Sequence, residues 1–249
     1  MRPLAPSSVA APSRLLRKLV AVSALLIAPV ALAETKPAAS ASAAAPAGSA
    51  SASALPALSA SDVAAKIQAT YQAINTYEAD FDQAYDMKAF GEKKTSKGHV
   101  TFEKPGKMRW DYTDPKDNLV VSDGTTLWSY VAKDKSARTM QLKDSQMPTA
   151  LAFLTGKGDL TKEFTLSALD NKDFKGGYLL KGVPKTATNL YSYVLFYIDG
   201  KTFQVRRVLI VDAQDNRNRF DFNNPVVGNK YDASKFKWTP AAGITVVKS

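Results

Sequence analysis

Apolar residues recur along this chain with two different periods. Val63, Ile67, Tyr71 and Ile74 follow helical spacing. Ser59 precedes them, and Asp62 three residues later completes a capping-box spacing, with Asp where Glu is preferred. The pattern predicts an amphipathic helix of about four turns beginning near Ser59. From Tyr77 the period drops to two. Tyr77, Ala79, Phe81, Gln83 and Tyr85 share one face, and Glu78, Asp80, Asp82 and Asp86 take the other. Strand candidates follow at 98–103, 107–113, 118–122, 126–131 and 138–142. Turn-formers separate them: Ala89-Phe90-Gly91, Lys104-Pro105-Gly106, Asp114-Pro115 and Ser122-Asp123-Gly124. A short apolar segment, 147–160, breaks this run. Pro148 stands where a first helical turn would begin and Gly156 where it would stop. A second set of strands is predicted at 164–169, 178–182, 190–198, 203–211 and 219–223. The stretch 190–198 is apolar or aromatic on both faces, so both of its sides should be covered. Short strands on tight connections argue a large, strongly curved antiparallel sheet, with one helix before it and one in its middle.

The N-terminus does not fit that pattern. Arg14, Arg17 and Lys18 precede an apolar run, 19–33, that ends in Ala31-Leu32-Ala33. This is the layout of a secretory signal peptide over residues 1–33. The run is too short for a spanning helix, which needs roughly 20 residues. Glu34 rather than cysteine follows the expected cut, which argues against a lipid anchor on the product. Residues 34–60 are mostly Ala, Ser and Pro, and they read as a disordered linker that cannot bury enough apolar surface to offset its ordering entropy. The folded domain is then 61–249, exported, and periplasmic in a bacterium with two membranes. The formal charge of +10 includes four basic residues and no acid within 1–33, which leaves +6 beyond them. A mildly basic surface suits anionic lipid, nucleic acid or an acidic protein. Export argues against nucleic acid.

Candidate chemistry is sparse. The chain has no cysteine and a single histidine, His99, so neither a disulfide frame nor a zinc site is expected. There is no phosphate loop, no G-x-S-x-G and no H-E-x-x-H. Asp80, Asp82 and Asp86 read as a solvated face rather than glycosidase acids. No catalysis and no cofactor are expected.

One stretch asks for another role. In VTFEKPGKMRWDYTDP, 100–115, Met108, Trp110 and Tyr112 alternate with Lys107, Arg109 and Asp111. Alternation alone is equally that of a dry core. However, KPGKMRWDYTDP, followed by LVVSDGTTLWSY at 119–130 and FKWTPAAGITVV at 236–247, resembles the signature of the LolA family of periplasmic lipoprotein carriers. The resemblance implies an incomplete antiparallel barrel, with lid helices closing a hydrophobic cavity that takes acyl chains. It implies cavity positions at Phe81, Tyr85, Phe102, Met108, Trp110, Trp128 and Leu142. It implies lid positions at Leu151, Phe153 and Leu154. A family arginine that latches the lid backbone is replaced by Lys104, a point charge instead of a planar fork. The implied partners are acylated lipoprotein or another acyl lipid, an inner-membrane ABC-type releasing transporter and an outer-membrane acceptor, with the carrier a monomer. A tethered lipid- or glycolipid-binding sensor on the same fold is the alternative.

Overall fold

The computed structural model describes residues 55–145, 151, 154, 158–170 and 174–248. The expected first helix is α1 (Ala60–Ala73). Its capping box is formed: the Asp62 N–H donates to Ser59 Oγ at 3.1 Å, and the Ser59 N–H donates to the Asp62 carboxylate at 3.3 Å. Val63, Ala64, Ile67 and Tyr71 are its buried face. Leu55 and Pro56, placed in the linker by composition, contact the domain. Leu55 lies against Gly200, and Tyr178 donates its hydroxyl proton to the Pro56 carbonyl at 3.1 Å.

Strands β1 (Thr76–Met87), β2 (Glu92–Glu103), β3 (Lys107–Asp114), β4 (Lys116–Asp123), β5 (Thr126–Val131) and β6 (Ser136–Gln141) form the first half of the sheet. A one-turn helix, α2 (Leu160–Glu163), leads into β7 (Phe164–Leu169), β8 (Gly177–Pro184), β9 (Tyr193–Asp199), β10 (Val205–Val211) and β11 (Arg217–Val227). The last strand is β12 (Thr245–Lys248). Among the described residues these twelve strands make one sheet in the order β12-β6-β5-β4-β3-β2-β1-β11-β10-β9-β8-β7. The end strands β12 and β7 are not neighbours in that order, so the sheet is open. An open sheet of this width curls under the accumulated strand twist.

Several expectations changed on folding. The helix expected within 147–160 falls mostly outside the described residues, and α2 at its end was not foreseen. β12 was also not foreseen, and it pairs with β6 in parallel. β2 begins at Glu92 instead of residue 98, because the polar stretch 92–97 is paired along β1. β9 begins at Tyr193, and only one of its faces is fully buried: Val194, Phe196 and Ile198 are closed off, while Tyr193 and Tyr197 are half-buried. Cationic side chains shield that second face, with Lys181 4.5 Å from the Tyr193 ring and Arg207 5.3 Å from the Tyr197 ring.

Candidate functional site

The register assigns side chains to faces. Directly opposed residues share a face, and β1, β2 and β3 align Tyr77, Phe102 and Met108, then Ala79, Val100 and Trp110, then Phe81, Gly98 and Tyr112. On the other side of β1, Phe81 opposes Phe222 and Gln83 opposes Phe220. This is the inner face. Trp110 lies at its centre, with ring centroids of Phe81 at 5.0 Å, Phe102 at 5.7 Å, Phe220 at 5.7 Å and Phe222 at 6.3 Å. Most of these contacts are edge-to-face, the favoured aromatic geometry. Gly98 makes room for them: a Cβ there would come within 2.9 Å of the Phe81 ring and 2.1 Å of the Asp111 carbonyl.

The structure therefore brings Phe81, Phe102, Met108 and Trp110 together, each nearly closed to solvent. Tyr85 is on the same face further along β1 and is half-buried. Leu142 follows β6 and is buried, as are Leu151 and Leu154. Phe153 lies outside the described residues. Phe220 and Phe222 were missed as wall residues. Their alternation with Arg219 and Asp221 was the available signal.

Trp128 is a correction. β4 opposes Val121 to Arg109, and β5 opposes Trp128 to Val121, so Trp128 shares the face of Arg109 rather than that of Trp110. It packs instead on Trp238, 5.5 Å between ring centroids, and Tyr130 does the same at 5.3 Å. The C-terminal segment crosses this outer face as a strap. The Arg109 guanidinium donates to the Lys235 carbonyl at 3.1 Å, and Phe236 is buried. The strap is also fixed at Glu78, which accepts from the Tyr231 hydroxyl at 2.5 Å and from Asn229 Nδ2 at 2.7 Å. The Tyr231 hydrogen bond, followed by the contact with His99, holds the Glu78 carboxyl below its usual range, although partial burial opposes this. His99 lies between Asp80 at 3.2 Å and Glu78 at 3.5 Å on this outer face, away from the aromatic wall. Asp80 and Asp82 are exposed there, as their alternation predicted.

α1 is fastened on both sides of its last turn. The buried Tyr71 hydroxyl accepts from the Val205 N–H at 3.1 Å, which ties the helix to β10. Lys104, in the turn between β2 and β3, donates its ammonium to the Tyr71 carbonyl, and to the Gln72 carbonyl at 3.2 Å. The last carbonyls of a helix carry partial negative charge, so a cation suits this place. Partial burial draws the Lys104 pKa down. Beside this contact is a polar recess of about 430 Å³ between α1 and α2, lined by Gln68, Gln72, Lys104, Asp159 and Lys162. Lys104 thus bonds the backbone at the end of α1. Sequence reading had not identified Tyr71 as the fastening on the opposite side.

The family model described as outer membrane lipoprotein carrier protein LolA matches residues 72–239. The chain is 30% identical over 195 residues to an outer-membrane lipoprotein carrier protein of Bordetella avium, covering 78% of this chain and 91% of the relative. It is 28% identical over 182 residues to the outer-membrane lipoprotein carrier protein of Methylococcus capsulatus, covering 73% and 86%. A crystal structure of an uncharacterized conserved protein from Thermus thermophilus has a similar fold, with a TM-score of 0.50 at 10% identity, over 76% of this chain and 99% of that one.

Proposed function

The chain belongs to the LolA family, and on that premise we propose that it binds the acyl chains of lipoproteins against its inner aromatic face. It then ferries them across the periplasm, from an inner-membrane ABC-type releasing transporter to an outer-membrane acceptor. The observation that carries this reading is the double fastening of α1, by Lys104 at one side and Tyr71 at the other. α1 is held by these hydrogen bonds and by its buried face of Val63, Ala64, Ile67 and Tyr71, with no strand pairing, so it can move without unfolding the sheet. The wall beneath it is lined by rings and by Met108, side chains that accept acyl chains without directional demands. In the present conformation the rings around Trp110 pack on one another, so loading requires them to part. Each edge-to-face contact is worth about 0.5–1.5 kcal/mol. One long acyl chain leaving water gains roughly 12 kcal/mol at about 0.8 kcal/mol per CH₂. The gain exceeds the cost of parting several rings, and the ring contacts re-form when cargo leaves, which favours release.

The test is to isolate the exported chain from its native membranes without detergent, extract it, and weigh the bound molecules. Acylated peptide or lipoprotein is expected. Protein that is empty in every preparation, and that removes no lipoprotein from vesicles, would reject the reading.

A further inference from the structure

The hairpin joining β1 and β2 ends in an aromatic ring that the fold does not use. Phe90 is 77% exposed. It closes the 3-10 turn Lys88–Phe90, and Gly91 follows with a left-handed φ of 63°. The turn is held in place: the Lys88 N–H donates to Asn216 Oδ1 at 3.0 Å, and the Gly91 N–H reaches the Lys88 carbonyl at 3.4 Å. The hairpin is unflanked on one side only: β3 ends opposite Lys97, so residues 92–96 have no β3 partner over about 16 Å at strand rise, while β1 stays paired with β11 through Asp86 and Arg217.

Lysines slightly outnumber acids along the hairpin: Lys88, Lys93, Lys94 and Lys97 against Asp82, Asp86 and Glu92, with Lys93 opposite Asp86 and Lys97 opposite Asp82. Lys88 pairs with Asp86 at 3.5 Å and Lys94 with Glu92 at 3.6 Å, with exposed carboxylates in both pairs, and exposed pairs of this kind bind weakly. The acids of the neighbouring turn are engaged elsewhere. Asp212 accepts from the Gln214 and Asn216 N–H groups and from the Asn216 side chain, and Asp215 pairs with Arg217 at 3.2 Å. A hydrogen-bonded turn with one bare aromatic and a small surplus of lysine has the chemistry of an interfacial lipid contact. The ring enters the headgroup boundary while the ammonium groups meet phosphates.

We propose that the β1–β2 hairpin, through Phe90 with Lys93 and Lys94, docks the protein reversibly on anionic lipid bilayers. One ring and a few charges give marginal, salt-sensitive adhesion rather than anchoring. Phe90 lies outside the ring cluster around Trp110, although Lys94 opposes Tyr85 on the inner face, so the empty protein should show the docking.

The chain has no cysteine, so Ala89→Cys accepts a single environment-sensitive fluorophore at the exposed tip. With vesicles containing phosphatidylglycerol, the labelled full exported chain should shift its emission to the blue. With vesicles of phosphatidylcholine alone it should not. Adding Phe90→Ser should cut the partition at least about tenfold, and Lys93→Glu with Lys94→Glu should do likewise, since each lysine near an anionic surface contributes about fivefold. An unchanged thermal midpoint shows that these variants fold. Partition that survives Phe90→Ser, or a parent that ignores phosphatidylglycerol, overturns the proposal. So does binding to native membranes that protease treatment of those membranes abolishes, which would assign the hairpin to a protein partner. Cargo loading by the Phe90→Ser variant, measured separately, keeps this outcome distinct from that of the carrier reading.

Discussion

Lys104 is the side chain that joins the β2–β3 turn to the end of α1. Its ammonium bonds the carbonyls of Tyr71 and Gln72, and hydrogen bonds to charged groups contribute about 1.5–3 kcal/mol where they are sheltered. Lys104 is only half-buried, so the lower end of that range, about 1.5 kcal/mol, applies. Lys104→Met should speed exchange of acyl cargo about tenfold and lower the melting temperature by about 3–6 °C. Lys104→Arg, whose fork can span both carbonyls, should slow it. A fluorescent fatty acid displaced from the protein reads both. Trp128 makes the complementary case. Trp128→Ala should leave acyl binding intact while loosening the strap at Trp238. Trp110→Ala, which empties the centre of the wall, should cost about 3–5 kcal/mol of stability and abolish binding. Equal effects from the two tryptophans in the same displacement assay would refute the assignment of faces.

α1 is the element on which the carrier reading turns. Its start is local, since Ser59 and Asp62 satisfy each other, and Ser59→Ala should lower stability by about 1 kcal/mol. Its end is held at a distance. Tyr71→Phe removes the hydroxyl that accepts from the Val205 N–H and leaves a buried donor without that acceptor, at a cost of about 1–3 kcal/mol. The expected sign is faster amide hydrogen exchange at Val205 and in the last turn of α1, with the β1–β2 pairing unaffected. Exchange that rises uniformly through the sheet would show that Tyr71 supports the whole fold rather than the cover.

At the scale of the molecule, the sheet carries two unlike faces, an aromatic wall that meets α1 where Tyr71 lies 6.2 Å from Tyr77, and an outer surface crossed by the C-terminal strap. The strap depends on Glu78, whose carboxyl pKa is held down first by Tyr231. A depressed folded-state pKa contributes stability that is present above the ordinary carboxylate range and is lost as pH falls through the folded value. Tyr231, pushed up to about 12 mainly by burial, stays protonated throughout that range. Proteolysis within 228–244 should therefore accelerate below about pH 4. Tyr231→Phe should bring the same sensitivity to neutral pH. A cleavage rate flat from neutral to acid would remove Glu78 from this role.

The sequence by itself determined what depends on near neighbours. The capping box, the change of period at Tyr77 and the turn residues placed α1 and most strands, because each is settled within a few residues. Alternation put neighbours such as Met108 and Trp110 on one side of their strand, but it reads equally as a dry core, and the family resemblance alone implied Phe81, Phe102, Met108 and Trp110 as wall positions. Tertiary structure decided which side that was for each strand. In β5 both faces carry apolar side chains, so Trp128 could be assigned only by its register with β4 and by the strap that reaches it from far along the chain. The same holds for Tyr71, whose hydroxyl looks like ordinary core until the fold brings Val205 to it. β12 has too few residues to declare itself and exists as a strand because β6 offers it an edge. Local chemistry fixes period and punctuation, whereas the covering of a face is a contact between distant parts of the chain and is set only when the sheet has curled.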